Sequence, residues 1–230
     1  MKRVAIVQSN YIPWKGYFDL IAAVDEFILF DDVQFTRRDW RNRNLIKTPD
    51  GPKWLTIPVQ VKGRYLQSIR ETMIGDTGWP QQHLRSIALN YGRAPFFRDT
   101  AEWLEPLYQA ATFPDLSGVN RHFLRGICDR LGIATPLGSS SDHVLEGDPS
   151  ERLASICAQA GAGVYLSGPA ARAYLDEGAF ARRGIEVRWF DYEGYRPYPQ
   201  LWGPFEHKLS VLDLIFNTGP EARSFMKVSP

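Results

Sequence analysis

Two short apolar runs open the chain, and one helix-length segment separates them. Residues 4–7 form the first run, and residues 27–30 form the second, which is apolar throughout. Between the two, apolar side chains recur at helical spacing, namely Phe18, Ile21, Ala22 and Val24. Parallel strands need a crossover connection of this kind, so the pattern predicts a strand–helix–strand unit with a parallel pair of strands.

The rest of the chain alternates between strand-like and helix-like patterns. Further strands are predicted at residues 54–59, 69–74, 164–166 and 185–190, with an extended segment at 133–137. Helices are predicted at residues 79–91, 102–110, 119–131, 152–160, 170–175 and 209–216. This alternation is typical of an α/β fold with a mainly parallel sheet. We expect one domain over residues 1–230, with a helical insertion or subdomain at about 79–131.

Composition narrows the class of protein. The 230 residues can bury a substantial core, and 27 basic against 26 acidic side chains give a net charge of +1. Without a global basic field, nucleic acid is not the expected partner. The N-terminal apolar run is too short for a signal peptide, and no run approaches the roughly 20 residues that span a bilayer. We therefore expect a cytoplasmic protein without a membrane span.

Two cysteines, Cys128 and Cys157, have neither metal-ligand spacing nor a disulfide framework around them. Both lie inside helix-like patterns, which favours buried structural thiols. A covalent intermediate on one of them is the alternative.

Polar residues gather where the first two predicted strands end. The first loop supplies an amide, two phenols and a lysine, namely Gln8, Tyr11, Lys15 and Tyr17; the second supplies Asp31, Asp32 and Gln34. In parallel sheets, ligands bind beyond the carboxyl ends of the strands, so these side chains predict a binding site. Adjacent carboxylates can bind a metal, orient an amine or hydroxyl, or act as a general base. A capped helix or an arginine pair is the structural alternative.

Five cations then crowd into eleven residues, namely Arg37, Arg38, Arg41, Arg43 and Lys47, with Asn42 and Asn44 between them. Guanidinium groups match the geometry of phosphate and carboxylate, so a substrate clamp is predicted here. A solvated charged loop is the alternative. Single-stranded nucleic acid would also suit arginines beside an aromatic residue, but the neutral total charge argues against it.

Two histidines and a serine-rich turn are further candidates. His83 lies near the start of a predicted helix. It is either a catalytic histidine or a core residue whose hydrogen bonds are satisfied within the protein. His207 lies in an aromatic, proline-rich segment before the last helix. Ser139 and Ser140 follow an extended segment and offer hydroxyls and backbone donors for a phosphate. No Walker loop, dinucleotide fingerprint, zinc helix or nucleophile elbow is present in the sequence, and no metal ligands are assigned.

Three motifs carry a resemblance to a known family. They are Val-Gln-Ser-Asn-Tyr-Ile-Pro-Trp-Lys-Gly-Tyr-Phe at 7–18, Asp-Asp-Val-Gln-Phe at 31–35 and Trp-Arg-Asn-Arg-Asn at 40–44. Through them the sequence resembles the WbqC-like family of bacterial proteins over nearly its full length. Where that family usually has proline, this chain has Ser9, which should loosen the loop. The resemblance implies a context of O-antigen, other glycan and specialised-metabolite gene clusters.

The opening unit is also similar in outline to nucleotidylyltransferases, whose first loop carries His-x-Gly-His. Here Trp14-Lys15-Gly16-Tyr17 replaces both histidines. Those histidines stabilise charge on the transferring phosphates, and a tyrosine cannot act as a cation. A shared fold would therefore not imply a shared adenylylating activity.

From these observations we expect a biosynthetic transferase. It would move an acyl or aminoacyl group from a carrier-protein or coenzyme A thioester to an amine or hydroxyl, such as that of a nucleotide-linked amino sugar. Asp32 or His83 would deprotonate the acceptor, while the arginines would meet the phosphopantetheine phosphate. The alternatives are an ATP- and magnesium-dependent nucleotidylyltransferase or ligase using Asp31 and Asp32, and a non-catalytic scaffold that binds a glycan precursor.

Overall fold

Five short parallel strands form the central sheet of the computed structural model, which describes residues 1–228. The strands of the chain are β1 Arg3–Val7, β2 Glu26–Leu29, β3 Arg43–Thr48, β4 Gly51–Thr56, β5 Leu137–Ser139, β6 Val164–Ser167 and β7 Glu186–Trp189. The helices are α1 Lys15–Ala22, α2 Trp79–Tyr91, α3 Phe97–Gln109, α4 Leu116–Arg130, α5 Pro149–Gln159, α6 Glu177–Ala181 and α7 Val211–Thr218. The sheet order is β5-β2-β1-β6-β7, and every neighbouring pair is parallel. The predicted α/β fold and its first strand–helix–strand unit are confirmed.

Alternating side chains of the central strands face two different apolar clusters. Ala5 and Phe27 pack into the larger cluster with α1, whereas Val4 and Ile28 pack into the smaller cluster with α5. Successive strand residues point to opposite faces, so a sheet covered on both sides needs an apolar run without polar alternation. The two opening runs of the sequence have this character for that reason.

The order of the strands indicates which end of the sheet is the candidate ligand-binding end. From β1 the chain proceeds outward through β2 to β5, and it then returns to the other side of β1 to form β6 and β7. This reversal leaves a crevice beyond the carboxyl ends of β1 and β6, where open α/β sheets bind ligands.

One strand prediction is wrong in its bounds, and a second is wrong. The segment predicted at 54–59 is strand only to Thr56, and it begins at Gly51 as half of an antiparallel hairpin with β3. The arginine–asparagine stretch, for which a solvated charged loop is the alternative to a clamp, enters this hairpin at Arg43 because cross-strand pairing overrides its polar composition. Residues 69–74 make only isolated bridges, at Met73 and Ile74.

Most predicted helices lie at the right place in the chain, but several differ from the structure in their limits. The predicted helix at 79–91 is α2, whereas α3 begins at Phe97, five residues earlier than predicted. Of the helix predicted at 170–175, residues 170–173 lie in a short 3-10 helix, Pro169–Ala173, and α6 is not predicted from the sequence. Apolar side chains of α2 to α4 share the larger cluster with those of β1 and β2, and a separate helical subdomain stays a prediction. None of the helices within residues 1–228 is long and apolar enough to cross a membrane.

Candidate functional site

A cavity of about 620 Å³ opens beyond the carboxyl end of the sheet. Four segments of the chain line it, contributing Asn10, Pro13 and Trp14 after β1, Trp40 and Asn44 around the start of β3, residues 192–195 after β7, and His207 and Lys208 before α7. Its walls are largely aromatic, with an acid at Glu193 and a base at Lys208 on the same surface. Aromatic walls with a few polar groups are the usual composition of a small-molecule site.

Asn44 holds the loop after β1 in its shape. Its side-chain amide donates to the carbonyl oxygens of Tyr11 and Ile12, both at 3.0 Å, and the side chain is buried. Ile12 has a positive φ of 35°, a conformation that needs such fixation in a non-glycine residue. A side chain at position 16 would collide with the Trp14 indole, so Gly16 allows that ring to lie against α1 and form the cavity wall.

Ser9 does not loosen this loop, contrary to the expectation from the sequence. It is fully buried, its backbone N–H donates to Asp31 Oδ1 at 2.8 Å, and its hydroxyl accepts from Asn120 at 3.0 Å. A proline at this position would have neither the N–H nor the hydroxyl. Because Ser117 donates to the other oxygen of Asp31, this carboxylate ties the ends of β1 and β2 to α4.

The predicted cation clamp divides into separate contacts. Arg41 donates to the side chain of Asn10, so it orients a residue of the cavity wall. Arg43 donates to the carbonyl of Arg38, and its guanidinium lies 4.0 Å from the centre of the Trp54 ring. Asn42 is buried and donates to a backbone carbonyl at 2.8 Å. These side chains have different partners and do not converge on one point.

Another wall is fastened to α1 by two buried charged side chains. Lys15 Nζ donates to the carbonyls of Arg196 at 3.2 Å and Phe225 at 3.0 Å, and burial lowers the pKa of this lysine to about 8. Tyr195, which lines the cavity, donates its hydroxyl to Asp19 at 2.6 Å. Burial, followed by the hydrogen bond to Asp19 and then by the charge of Asp19, raises the pKa of that phenol well above its usual value. The wall is therefore held by the helix that follows β1.

His83 belongs to a closed hydrogen-bond network away from the cavity lining. Its Nε2 lies 3.2 Å from the carbonyl of Thr56, which can only accept, and its Nδ1 lies 2.8 Å from the hydroxyl of Tyr11. The neutral imidazole therefore donates from Nε2 and accepts at Nδ1. Tyr108 completes the network, with its hydroxyl 2.6 Å from that of Tyr11. Burial lowers the pKa of His83 to about 4, so the ring is neutral at pH 7.

The remaining predicted site residues have partners within the protein. Asp32 accepts from Ser140 at 2.6 Å and pairs with Arg70 at 2.8 Å. Gln34 donates to the carbonyl of Tyr65 at 2.8 Å. Tyr17 is buried and donates to the carbonyl of Gln8 at 2.9 Å, while the hydroxyls of Ser139 and Ser141 bond to each other. Of the residues predicted as catalytic or substrate-binding, Asn44 and His207 line the cavity. The catalytic roles of Asp32 and His83 stay predictions.

Sequence reasoning missed most of the cavity wall. Trp14, Trp40, Tyr192, Glu193 and Lys208 were not proposed as site residues, although the aromatic content of 13% and the proline-rich segment before α7 were visible signals. Residues 190–210 contain no helix or strand. A structureless segment of this length in a folded domain is uncommon and usually functional.

The cysteines are buried structural thiols. Cys128 is 3% exposed and Cys157 fully buried, and burial raises the pKa of both to about 12. A nucleophilic cysteine needs its thiolate form, which is scarce at neutral pH for such thiols. Across the described residues there is no group of three or more histidine, cysteine or acidic side chains that could hold a metal ion.

Comparison with known proteins agrees with the sequence motifs. The model of the WbqC-like protein family matches residues 8–225. A protein of Mycobacterium tuberculosis (strain ATCC 25618 / H37Rv), named uncharacterized protein Rv1507c, is 56% identical over 227 residues, which cover 99% of this chain and 98% of the relative. No solved structure matches the chain. The chain belongs to the WbqC-like protein family.

Proposed function

We propose that this protein is a biosynthetic transferase that binds an amino-sugar acceptor, nucleotide-linked, in the cavity beyond the sheet. It would move an acyl or aminoacyl group from a thioester to the acceptor amine or hydroxyl. The observation that carries the proposal is the composition of the cavity, whose volume of about 620 Å³ lies within the range of small-molecule sites.

The aromatic walls fit the ring systems of such an acceptor. Trp14 and Tyr195 lie edge to face with ring centres 5.4 Å apart, and Trp40 contributes a second indole to the cavity. Flat apolar faces stack on nucleobases at about 1–3 kcal/mol per base. Pyranose rings have apolar C–H faces that pack on the same surfaces.

The charged groups of the cavity fit the polar ends of the acceptor. Glu193 would hold an ammonium, and Lys208 a phosphate. His207 would remove the proton that the amine must lose before it attacks, since histidine is the most frequent general base. The amine nitrogen then forms a bond to the thioester carbonyl carbon, the C–S bond breaks, and the thiol leaves with the proton.

Thermal unfolding in the presence of ligands tests the binding step. A nucleotide-linked amino sugar at about 100 times its Kd should stabilise the protein by about 2.7 kcal/mol, which for a chain of this size raises Tm by about 5–10 °C. Glu193→Gln should reduce the shift for the amino sugar and leave that for the nucleotide alone. Glu177→Gln, at the exposed start of α6, is the matched control.

Two outcomes would contradict the proposal. A shift with ATP and magnesium alone would favour the nucleotidylyltransferase or ligase alternative. Stabilisation by the amino sugar without any acylated product, measured by mass spectrometry with acyl coenzyme A and an acylated carrier protein as donors, would favour the non-catalytic precursor-binding scaffold.

A further inference from the structure

An exposed basic surface lies beside the cavity, and none of its residues lines the cavity. We define the basic face as Arg37, Arg38, Lys62, Arg64, Tyr65 and Leu66, all exposed. Tyr65 is 69% and Leu66 85% exposed, so the face presents two adjacent large apolar side chains to solvent. A depression of about 570 Å³ runs along residues 63–67 and Glu71.

The basic face has a local excess of positive charge. None of its four cations forms an ion pair with another side chain of residues 1–228. The nearby carboxylates Asp39 and Glu71 accept hydrogen bonds from Thr36 and Ser68 and keep their negative charge, but they are fewer than the four cations. The chain as a whole has a net charge of only +1, so this excess is a local feature.

Hydrogen bonds and a cation–π contact within the protein hold the basic face in place. Arg37 donates to the carbonyl of Val61 at 2.8 Å, and its guanidinium lies 5.1 Å from the centre of the Tyr65 ring. Gln34 fixes the carbonyl of Tyr65, and Phe35 N–H donates to the carbonyl of Gln67 at 2.9 Å. These contacts join the segment after β2 to the loop that presents Tyr65 and Leu66.

The face also adjoins the cavity. Arg38 and Trp40 are two residues apart, so their Cα atoms lie within about 7 Å of each other, and Trp40 lines the cavity. A partner bound on the basic face would therefore be close enough to present a reactive group to the acceptor.

We propose that the basic face docks an acidic carrier protein that delivers the thioester donor to the cavity. The inference rests on the proposed acyl transfer. Complementary charge accelerates encounter and fixes register, while the exposed tyrosine and leucine supply an apolar contact within the charged rim. The two apolar side chains form too small an area for membrane insertion, and the near-neutral chain does not favour nucleic acid.

Fluorescence anisotropy with a purified, phosphopantetheinylated acyl carrier protein tests the proposal. Lys62→Glu/Arg64→Glu reverses two charges that have no ion-pair partner, and it leaves Arg37 and its contacts in place. We expect wild-type binding that weakens when salt is raised to about 0.5 M, and a variant that binds at least about tenfold more weakly. Arg85→Glu/Arg125→Glu, exposed on α2 and α4, should bind like the wild type.

The outcomes separate this inference from the proposed function. Absence of carrier-protein binding, or equal loss in both double variants, overturns the docking site. Stronger binding of a single-stranded oligonucleotide or of anionic phosphatidylserine vesicles than of the carrier protein also overturns it. Because Lys62 and Arg64 do not line the cavity, the thermal shift with a nucleotide-linked amino sugar should be unchanged in the variant. Failure of that shift in the wild type would instead contradict the acceptor proposal.

Discussion

Lowering the pH should destabilise this protein through His83. The imidazole is 5% exposed, and burial lowers its pKa to about 4, whereas an unfolded histidine titrates near 6.5. Between about pH 4 and pH 6.5, His83 therefore binds a proton in the unfolded chain but stays neutral in the folded chain. The contribution of His83 to stability is present above pH 6.5, declines as the pH falls, and is fully lost below about pH 4.

The loss in the free energy of unfolding follows from the difference between the folded and unfolded pKa of His83. The folded and unfolded pKa of His83 differ by about 2.5, which corresponds to about 3.4 kcal/mol in the free energy of unfolding between pH values above and below both pKa values. Between pH 7 and pH 5, proton linkage gives a loss of about 2 kcal/mol in the free energy of unfolding. This is a large share of the 5–15 kcal/mol that is typical of folded domains.

His83→Gln provides the matched comparison. The glutamine amide can donate to the carbonyl of Thr56 and accept from the hydroxyl of Tyr11, but it does not titrate. Urea unfolding at pH 7 and pH 5 gives the loss for each protein, and the wild type should lose about 2 kcal/mol more than the variant. The other titrating groups are the same in the wild type and in His83→Gln, so their contributions cancel when the two losses are subtracted. Equal losses in the two proteins would refute the assignment of a buried, neutral imidazole.

Three further changes test the packing around the site. Tyr195→Phe removes a 2.6 Å hydrogen bond from the buried Asp19 carboxylate and should lower stability by about 1–3 kcal/mol in urea unfolding. Iodoacetamide should label Cys128 and Cys157 only after unfolding, because burial raises their pKa to about 12; labelling of the native protein, seen by mass spectrometry, would disprove this. Gly219→Ala should lower Tm, since this position has φ +51° and a methyl group would strike the Phe96 ring.

Two control variants separate these effects from general damage. Tyr174→Phe changes a side chain that is 72% exposed, so its stability should stay within about 0.5 kcal/mol of the wild type. Gly184 also has a positive φ, of +69°, but no atom lies within 4 Å of an added Cβ. Gly184→Ala should therefore show the cost of a positive φ without a steric clash. A Tm for Gly219→Ala no lower than that of Gly184→Ala would contradict the expected clash with Phe96.

Much of the architecture follows from local patterns in the chain. The apolar runs around Ile6 and Ile28 predict central strands because only a strand covered on both faces can bury every successive side chain. The helix at 79–91 has its proline in the first turn and a glycine at its end, and both limits agree with the structure. The β3–β4 hairpin was less accessible to prediction, since its polar strands are held by pairing with each other.

The candidate site also contains residues that the sequence locates and residues that it does not locate. Residues immediately beyond a strand end, such as Asn10 and Trp14, fall where the sheet rule places ligands, and sequence alone locates that region. Asp32 and His83 are predicted as catalytic because their side chains are of reactive types. Their hydrogen-bond partners, Ser140 and Tyr11, are distant in the chain. Local patterns do not report such long-range pairing.

The sequence by itself determined the family and the parallel sheet, and it predicts the edge at which a ligand is expected, because apolar periodicity and strand-end chemistry are local properties. Only the tertiary structure decided which polar groups face the cavity and which are consumed inside the protein. Tyr192 and His207 reach the same cavity as Trp14 because buried contacts, such as that of Tyr195 with Asp19, fasten an irregular segment against α1. Such contacts join residues 176 positions apart, and they form only when the whole core is assembled.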